Sequence, residues 1–460
     1  MDAKLIWLIA FVGLYWAYCL FWGFKGARSA KTSADYFLAG RSIGVWVFVL
    51  AATATSFSGW TFVGHPGKIF TDGLPYAFAS FYALTIPLTG VLFLRRQWVL
   101  GKAHKYITPG EMYSDYYGGN AMRLLTVLVA FLFSVPYLGV QLKASGSLFN
   151  VLSDGLVSVN LGMFALTTIV IIYVASGGLK SVAYVDCAQA ILLAVGIAIL
   201  GGITIHYAGG WNGFTSGLAN LVSKDVSSGQ NLTPDGYSMK VAIPGSIQMV
   251  SAGSKAVGGA WTGIMCMTYM FALMGIQSSP AFSMWAFSNK TSKPFRWQQV
   301  VASSVVIGVI LFTFTIIQGM GGHVLISSGV IESANDKNLV PQLINLLSDS
   351  SPWLVGLLAV CALAAMQSTG AAYMSTFSAM VTRDIYKRYM APNASDSAQK
   401  LGGRLMVVVV ACASLVVAAK STSAIVMLGG LAVAYGFQMY PALMGVCYFP
   451  WLTRKGVVAG

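Results

Sequence analysis

The sequence predicts an all-α integral membrane protein. One extra N-terminal helix precedes two five-helix repeats set in opposite orientations. Three observations point there. First, 56% of the 460 residues are hydrophobic and 9% are charged, against about 25% charged in an ordinary globular chain; the mean hydropathy is +0.71. Second, the apolar residues form continuous runs long enough to cross ~30 Å of hydrocarbon. They do not alternate over ~10-residue segments as in a β-barrel. Third, two of these runs, five apart in order, are interrupted by Gly, Ser and Pro where a plain span would continue.

The apolar segments lie at 4–24, 43–70, 74–95, 120–152, 157–175, 180–207, 257–278, 297–319, 352–387, 402–420 and 422–447. The first lacks a basic start and a small-residue cleavage site, and it reads as a retained helix instead of a signal peptide. The second contains SFSGWTFVGHPG (56–67), and the seventh ends in MGIQSSP (274–280). Residues of these types release backbone carbonyls from the helical ladder, and at membrane depth such groups must line a cavity or bind something. The fifth and sixth segments are separated by SGGL (176–179). The ninth carries two adjacent hydroxyls, Ser368 and Thr369, and the eleventh is rich in glycine. The predicted organisation is an extra helix and inside loop over 1–42, a first repeat over 43–207, an outside loop over 208–256, a second repeat over 257–447, and an inside tail over 448–460 that stops short of a further helix. A five-helix repeat reverses its direction in the membrane. Paired broken helices in such repeats mark a transporter with a site near the bilayer midplane.

Orientation follows from the basic residues. Lys4, Lys224, Lys240, Lys255, Lys337 and Lys420 fall in one set of loops, and Lys68 and Lys143 fall within apolar segments. The other 20 of the 28 Lys and Arg residues fall in the opposite set of loops. Basic residues stay inside, so the N-terminus is expected outside, in a multi-pass protein of a bacterial-type inner (plasma) membrane. The loops 208–256 and 320–351 then lie outside, as short helices or lids, and 97–119 forms an inside surface segment. The net charge of +14 is this topology signal, not a nucleic-acid-binding face. No GxSxG, HExxH or phosphate-binding loop is present, so no enzyme is expected. The six cysteines all fall in apolar segments with no CxxC pair, and the histidines show no metal-ligand spacing.

Helical rise sets the depth of two of these features. From residue 43, Ala54 lies ~16 Å into the bilayer, and from residue 352, Ser368 lies ~24 Å down from the other side. Across ~30 Å that leaves Ser368 ~6 Å and Ala54 ~16 Å from the inner face, about two helical turns apart. A hard cation of sodium size wants five or six oxygens. The carbonyls of Ala54, Phe57 and Ala365 and the hydroxyls of Ser368 and Thr369 supply five without a carboxylate. The bland alternative is that each hydroxyl bonds back to its own i−4 carbonyl. Lys143 is costly inside a membrane helix; it either meets a substrate carboxylate or snorkels to the outer interface. His65, after the break, either selects an anionic or zwitterionic solute or sits in a wet loop. Tyr435 and Gln438, in LGGLAVAYGFQMYP (428–441), are candidate gate and substrate contacts.

SADYFLAGRSIG (33–44), SFSGWTFVGHPG (56–67), YVASGGLKSVAYVDCAQAILL (173–193) and STGAAYMSTFSAMVTRDIYKR (368–388) resemble the sodium/solute symporter family, which includes the proline, pantothenate, sialic acid and sugar sodium symporters. The resemblance covers essentially the whole chain. It implies a LeuT-like fold, the 5+5 inverted repeat with one extra N-terminal helix, and Na+ held by Ala54, Phe57, Ala365, Ser368 and Thr369. Tyr137 matches a position that contacts substrate in the sugar branch, and substrate contacts are expected at Ser56, Thr61, His65, Tyr137, Lys143, Met270, Met274, Gln277 and Gln438. Gating or ion release falls to Trp60, Asp186 and Tyr435; Asp186 either helps sodium leave or pairs with a base such as Lys180. There are departures. Ser56 stands where the proline branch has Asp, and Thr61 where the sugar branch has Gln. Leu273 and Met274 replace the sugar branch's aromatic pair. The expected function is sodium-coupled symport of a small organic solute, a carboxylate or amino acid before a sugar, by a monomer in the lipid bilayer. The rival readings are a transporter-like sensor fused to a signalling module, and proton-coupled symport.

Overall fold

The computed structural model describes residues 2–78, 82–229, 236–242, 261–421 and 425–460. Lys255, the start of the seventh apolar segment and residues 422–424 of the eleventh lie outside the described residues.

The helices follow the apolar runs. Helix α1 (Ala3–Ser29) is the extra N-terminal helix. The first broken helix is α2 (Val45–Ser56) and α3 (Trp60–Asp72), bent by 51° at the break. Then come α4 (Tyr82–His104), a short surface helix α5 (Pro109–Tyr117), α6 (Ala121–Leu152) and α7 (Val159–Tyr207). Helix α8 (Gly210–Ser228) precedes the second broken helix, α9 (Gly263–Ser278) and α10 (Pro280–Ser288). After it come α11 (Pro294–Ser327), α12 (Pro352–Met390), α13 (Asp396–Lys420), α14 (Ile425–Phe437) and α15 (Tyr440–Cys447). Among the described residues seven helices are long and apolar enough to cross a bilayer, or eight with the bent pair α2–α3. Helix α7 has 49 residues, ~73 Å at 1.5 Å per residue. That is more than twice the hydrocarbon thickness, so it must serve as two spans.

It does so by turning at Gly178, whose φ of 60° and ψ of −156° suit only glycine. The expected separation at SGGL is therefore a sharp kink without a loop. A Cβ at Gly178 would lie 2.2 Å from the Tyr36 carbonyl oxygen, and the Tyr36 hydroxyl donates to the carbonyls of Val174 and Ala175. The short helix Ser33–Leu38 thus locks onto the kink. Replacing Gly178 by Ala is expected to cost about 1–3 kcal/mol in backbone strain and to displace Tyr36 as well. Thermal unfolding should shift down by several degrees; an unchanged midpoint would show that the turn is not fixed by this contact.

Several boundaries differ from the sequence reading, and Pro placement explains the main one. The seventh segment does not end at MGIQSSP. Ser279 is extended (φ −63°, ψ 152°) and Pro280 opens a fresh helix, α10, because proline is favoured in a first helical turn. The second broken helix therefore has a second half that the sequence left as loop. Helix α4 runs on to His104, so the first part of segment 97–119 is helical. Likewise α11 runs to Ser327, into the region read as the outside loop 320–351. The loop 208–256 contains α8 and the short helix Tyr237–Lys240.

Helix α12 forms the centre; 89% of its most apolar 18-residue window is buried. Helices α1 and α7 pack on it and on each other. Lys4 fixes the N-terminal end of α1: it is 3% exposed and lies 2.6 Å from Asp154, and it donates to Asn345. At the opposite end from Lys4, the two broken helices meet through Ile43, whose amide donates to Ser288 and whose carbonyl accepts from Lys290. Arg41 donates to the carbonyls of Gly101, Tyr106 and Phe287, tying the same corner together.

Candidate functional site

The break between α2 and α3 is built from diverted amides. The last regular rung runs from the Phe57 amide to the Thr53 carbonyl, and Phe57 is extended (φ −122°, ψ 123°). The next three N–H groups find side chains. The Ser58 amide donates to Thr61 Oγ1 at 3.4 Å, the Gly59 amide to Gln141 Oε1 at 2.8 Å, and the Trp60 amide to Ser58 Oγ at 3.1 Å. In an unbroken helix those amides would bond the carbonyls of Ala54, Thr55 and Ser56. All three carbonyls are thereby released inside the protein, where an unpaired backbone oxygen needs a partner.

Helix α12 supplies one. Ser368 Oγ lies 3.1 Å from the Ala54 carbonyl oxygen and 3.2 Å from that of Ala365. Thr369 Oγ1 lies 3.3 Å from the Ala54 oxygen and 3.5 Å from that of Thr55. Both residues are fully buried. Thr369 therefore turns away from its own helix, contrary to the bland expectation, while Ser368 keeps only an i−3 contact. Oxygens at right angles on a hard cation 2.3–2.6 Å away sit about 3.4 Å apart, which matches these separations. All the oxygens are neutral, which suits a monovalent ion. The structure thus brings Ala54, Ala365, Ser368 and Thr369 together, while Phe57 is extended after the last rung of α2. It adds Thr55, which the sequence reading omitted.

The proposed substrate residues divide. Gln277, on α9, donates to Ser56 Oγ at 3.4 Å, joining the two broken helices. Tyr137 Oη lies 3.3 Å from Ser58 Oγ, and its ring packs in a cluster with Phe133 and Tyr373. Thr61 is buried and caps the break. His65 is sealed between Trp60 and Tyr76, with ring centroids at 5.4 and 5.1 Å, and is not a wet loop residue. Trp60 packs against Gly429 on the α14 side. Met270 and Met274 are half-buried on α9, as is Tyr435 on α14.

Two of these residues have other partners. The Lys143 ammonium donates to the carbonyl of Ser421, the residue capping the C-terminus of α13, where a cation is favoured, in keeping with the snorkelling alternative. Gln438 is exposed and donates to Ala434, one turn back. Asp186 is fully buried, but it forms no ion pair with Lys180, and its carboxyl oxygens have no hydrogen-bond partner among the described residues. Asp186 lies beside Cys187, which donates to Ala183 within α7.

Gln141 is the functional residue that sequence reasoning missed. It is fully buried; its oxygen holds the Gly59 amide and its nitrogen donates to the Tyr137 carbonyl. The signal was present as an amide within the apolar run YLGVQL, one turn after Tyr137. Gly59 must be glycine, because a Cβ would lie 2.7 Å from both Gln141 Oε1 and Met366 Cγ.

Comparison with known proteins fits this geometry. A family model described as the sodium:solute symporter family matches residues 36–460. The sodium/proline symporter of Escherichia coli (strain K12) is 25% identical over 449 residues, covering 95% of this chain and 82% of that one. The high-affinity proline transporter PutP of Bacillus subtilis (strain 168) is 24% identical over 445 residues, covering 95% and 86%. Among solved structures, a substrate-bound, outward-open Na+-coupled sialic acid symporter superposes with a TM-score of 0.74 at 18% identity, covering 97% of this chain and 87% of that one. MhsT in complex with L-phenylalanine gives 0.55 at 14% identity, covering 91% and 95%.

Proposed function

Because this chain belongs to the sodium:solute symporter family, with sodium as its coupling ion, we propose that it imports a small amino acid or carboxylate by alternating access. The ion binds among Ala54, Phe57, Ala365, Ser368 and Thr369, and the solute binds beside it near Ser56, Thr61, Tyr137 and Gln277. The carrying observation is the convergence of the Ser368 and Thr369 hydroxyls on the freed Ala54 carbonyl. The substrate side rests on charge. Ser56, Thr61, Tyr137 and Gln277 are neutral dipoles, and a zwitterion has no net charge to leave unpaired there. Its carboxylate gains the adjacent sodium as a counter-ion, which a sugar has no group to use. The names of the relatives, sodium/proline symporter and proline transporter, favour the same class.

The chain acts as a monomer in a bacterial-type inner membrane with its N-terminus outside. On the inner side, Asp384 is held by Arg123 at 2.9 Å and Thr108 at 3.0 Å, and Glu111 by Arg383 at 2.8 Å. These contacts join α5 to the end of α12, and release of ion and solute inward requires them to part.

The test is uptake by purified protein in liposomes under an imposed sodium gradient. Labelled proline and a panel of small amino acids and monocarboxylates are compared with glucose. At least one amino acid or carboxylate is expected to enter tenfold faster than the sugar, and to stop entering when choline replaces sodium. Preferential sugar uptake would sink the substrate assignment. Uptake that ignores sodium but needs a pH gradient would sink the ion site.

A further inference from the structure

A second site lies where α1 meets the kink of α7. A cleft of about 210 Å³ is lined by Trp22, Lys25, Ser29, Lys180, Ser181 and Tyr184. Its floor is rigid: the Trp22 and Tyr184 rings stack at 4.5 Å with planes 5° apart. The Tyr18 hydroxyl, one turn back on α1, donates to the Tyr184 carbonyl. Lys25 lays its ammonium 4.5 Å from the Trp22 ring centroid. Neither Lys25 nor Lys180 forms an ion pair among the described residues, and no carboxylate lines the cleft. Ser29 and Ser181 donate to backbone carbonyls. The two ammonium groups therefore carry the site's recognition.

Its depth identifies the occupant. Lys25 follows Ala3 by 22 residues of α1, ~33 Å along the helix axis, just past the ~30 Å hydrocarbon layer. Lys180 stands two residues beyond the Gly178 turn of α7. Both cations therefore sit at headgroup level, on the side where the chain's basic residues concentrate. Toward the bilayer the adjoining surfaces are apolar: Phe21 and Phe24 on α1 and Ile191 and Val195 on α7 are all exposed. Paired cations over an aromatic floor, with apolar rings beside them, match a molecule with a negative head and hydrocarbon tails. Basic pockets between membrane helices are known to take such headgroups.

We propose that this cleft binds the phosphate of an anionic phospholipid of the inner leaflet, with its tails along Phe21 and Ile191, and that the bound lipid fastens α1 to α7.

The experiment uses the full chain in neutral detergent, with thermal unfolding followed as lipid is added. Phosphatidylglycerol and phosphatidylcholine with identical acyl chains are compared, with glycerol phosphate as the soluble headgroup. Phosphatidylglycerol is expected to raise the midpoint by several degrees, with half-saturation at least tenfold below that of phosphatidylcholine. Glycerol phosphate should have no effect. Lys25→Gln/Lys180→Gln should lose the preference, while Lys25→Arg/Lys180→Arg and the exposed pair Lys290→Gln/Lys293→Gln should keep it. The proposal is overturned if the Gln pair retains the preference, or if Lys290→Gln/Lys293→Gln loses it equally, which would mean diffuse attraction. Equal protection by glycerol phosphate would assign the cleft to a soluble phosphate instead. Should the Gln pair fail to fold, Lys180→Gln alone is read by native mass spectrometry, where it should retain at least threefold less phosphatidylglycerol than the unaltered chain; equal retention also overturns the site.

Discussion

Ser368→Ala/Thr369→Ala is expected to make the protein blind to sodium. In choline chloride the variant should unfold close to the parent, because each removed hydroxyl bonds a carbonyl at 3.1 Å or more, and such neutral contacts contribute only ~1 kcal/mol each. Sodium changes the comparison. A hydrogen-bonding group facing a charge contributes about 1.5–3 kcal/mol, so losing two of five oxygens weakens the ion by roughly 3–6 kcal/mol. At 1.4 kcal/mol per tenfold, that is at least ~100-fold in affinity. A ligand present at 100 times its dissociation constant stabilises the folded state by ~2.7 kcal/mol. The same concentration acting on the variant gives ~0.4 kcal/mol. The measurement is the unfolding midpoint in sodium chloride against choline chloride at equal ionic strength. The parent should shift by several degrees and the variant by almost nothing. Thr369→Ser, which keeps the oxygen, should retain most of the shift. A sodium response that survives in the double variant would place the ion elsewhere. Sodium-driven uptake should fall by the same factor of ~100 or more at sodium concentrations below saturation.

This site was legible in the sequence to an unusual degree, for a physical reason. A membrane span tolerates few polar residues, so an adjacent Ser–Thr in one run and a Ser–Gly–Trp break in another stand out against an apolar background, although helical rise alone leaves them about two turns apart in depth. Four of the five proposed oxygens do come together. What was not legible is tertiary. The three diverted amides are captured by Thr61, Gln141 and Ser58, and nothing local says that an amide on α6 reaches the break in α2–α3. Lys143 drew attention because a charge in a span is costly, yet its four-carbon stem carries the ammonium to the end of α13. Its neighbour Gln141, two residues away and so on another face of the helix, points at the site instead. The second half of the second broken helix was hidden because Pro280 reads equally well as a stop and as a start.

The second large effect follows from that capture. Gln141→Leu removes the acceptor of the Gly59 amide while nearly preserving volume. The buried N–H is left unpaired, at about 1–3 kcal/mol, unless the chain rearranges. The available rearrangement is to re-form the helical rung to the Thr55 carbonyl. That winds α2 on towards α3, straightens the 51° bend and withdraws carbonyls from the place where Ser368 and Thr369 meet them. Either outcome damages the ion site without touching a proposed ligand. Sodium affinity is expected to fall ten- to a hundredfold, and the midpoint in choline chloride should drop by several degrees. Gln141→Glu keeps an acceptor oxygen and should hold the break open, so its sodium-dependent shift should persist. Amide exchange separates the two routes. If the rung re-forms, the Gly59 amide gains protection in the Leu variant; if the N–H stays orphaned, residues 57–64 exchange faster. A Gln141→Leu protein that keeps its full sodium response would show that the break is held by the helices packed around it and not by this one amide. The freed carbonyls would then be a property of the Ser–Gly–Trp sequence alone.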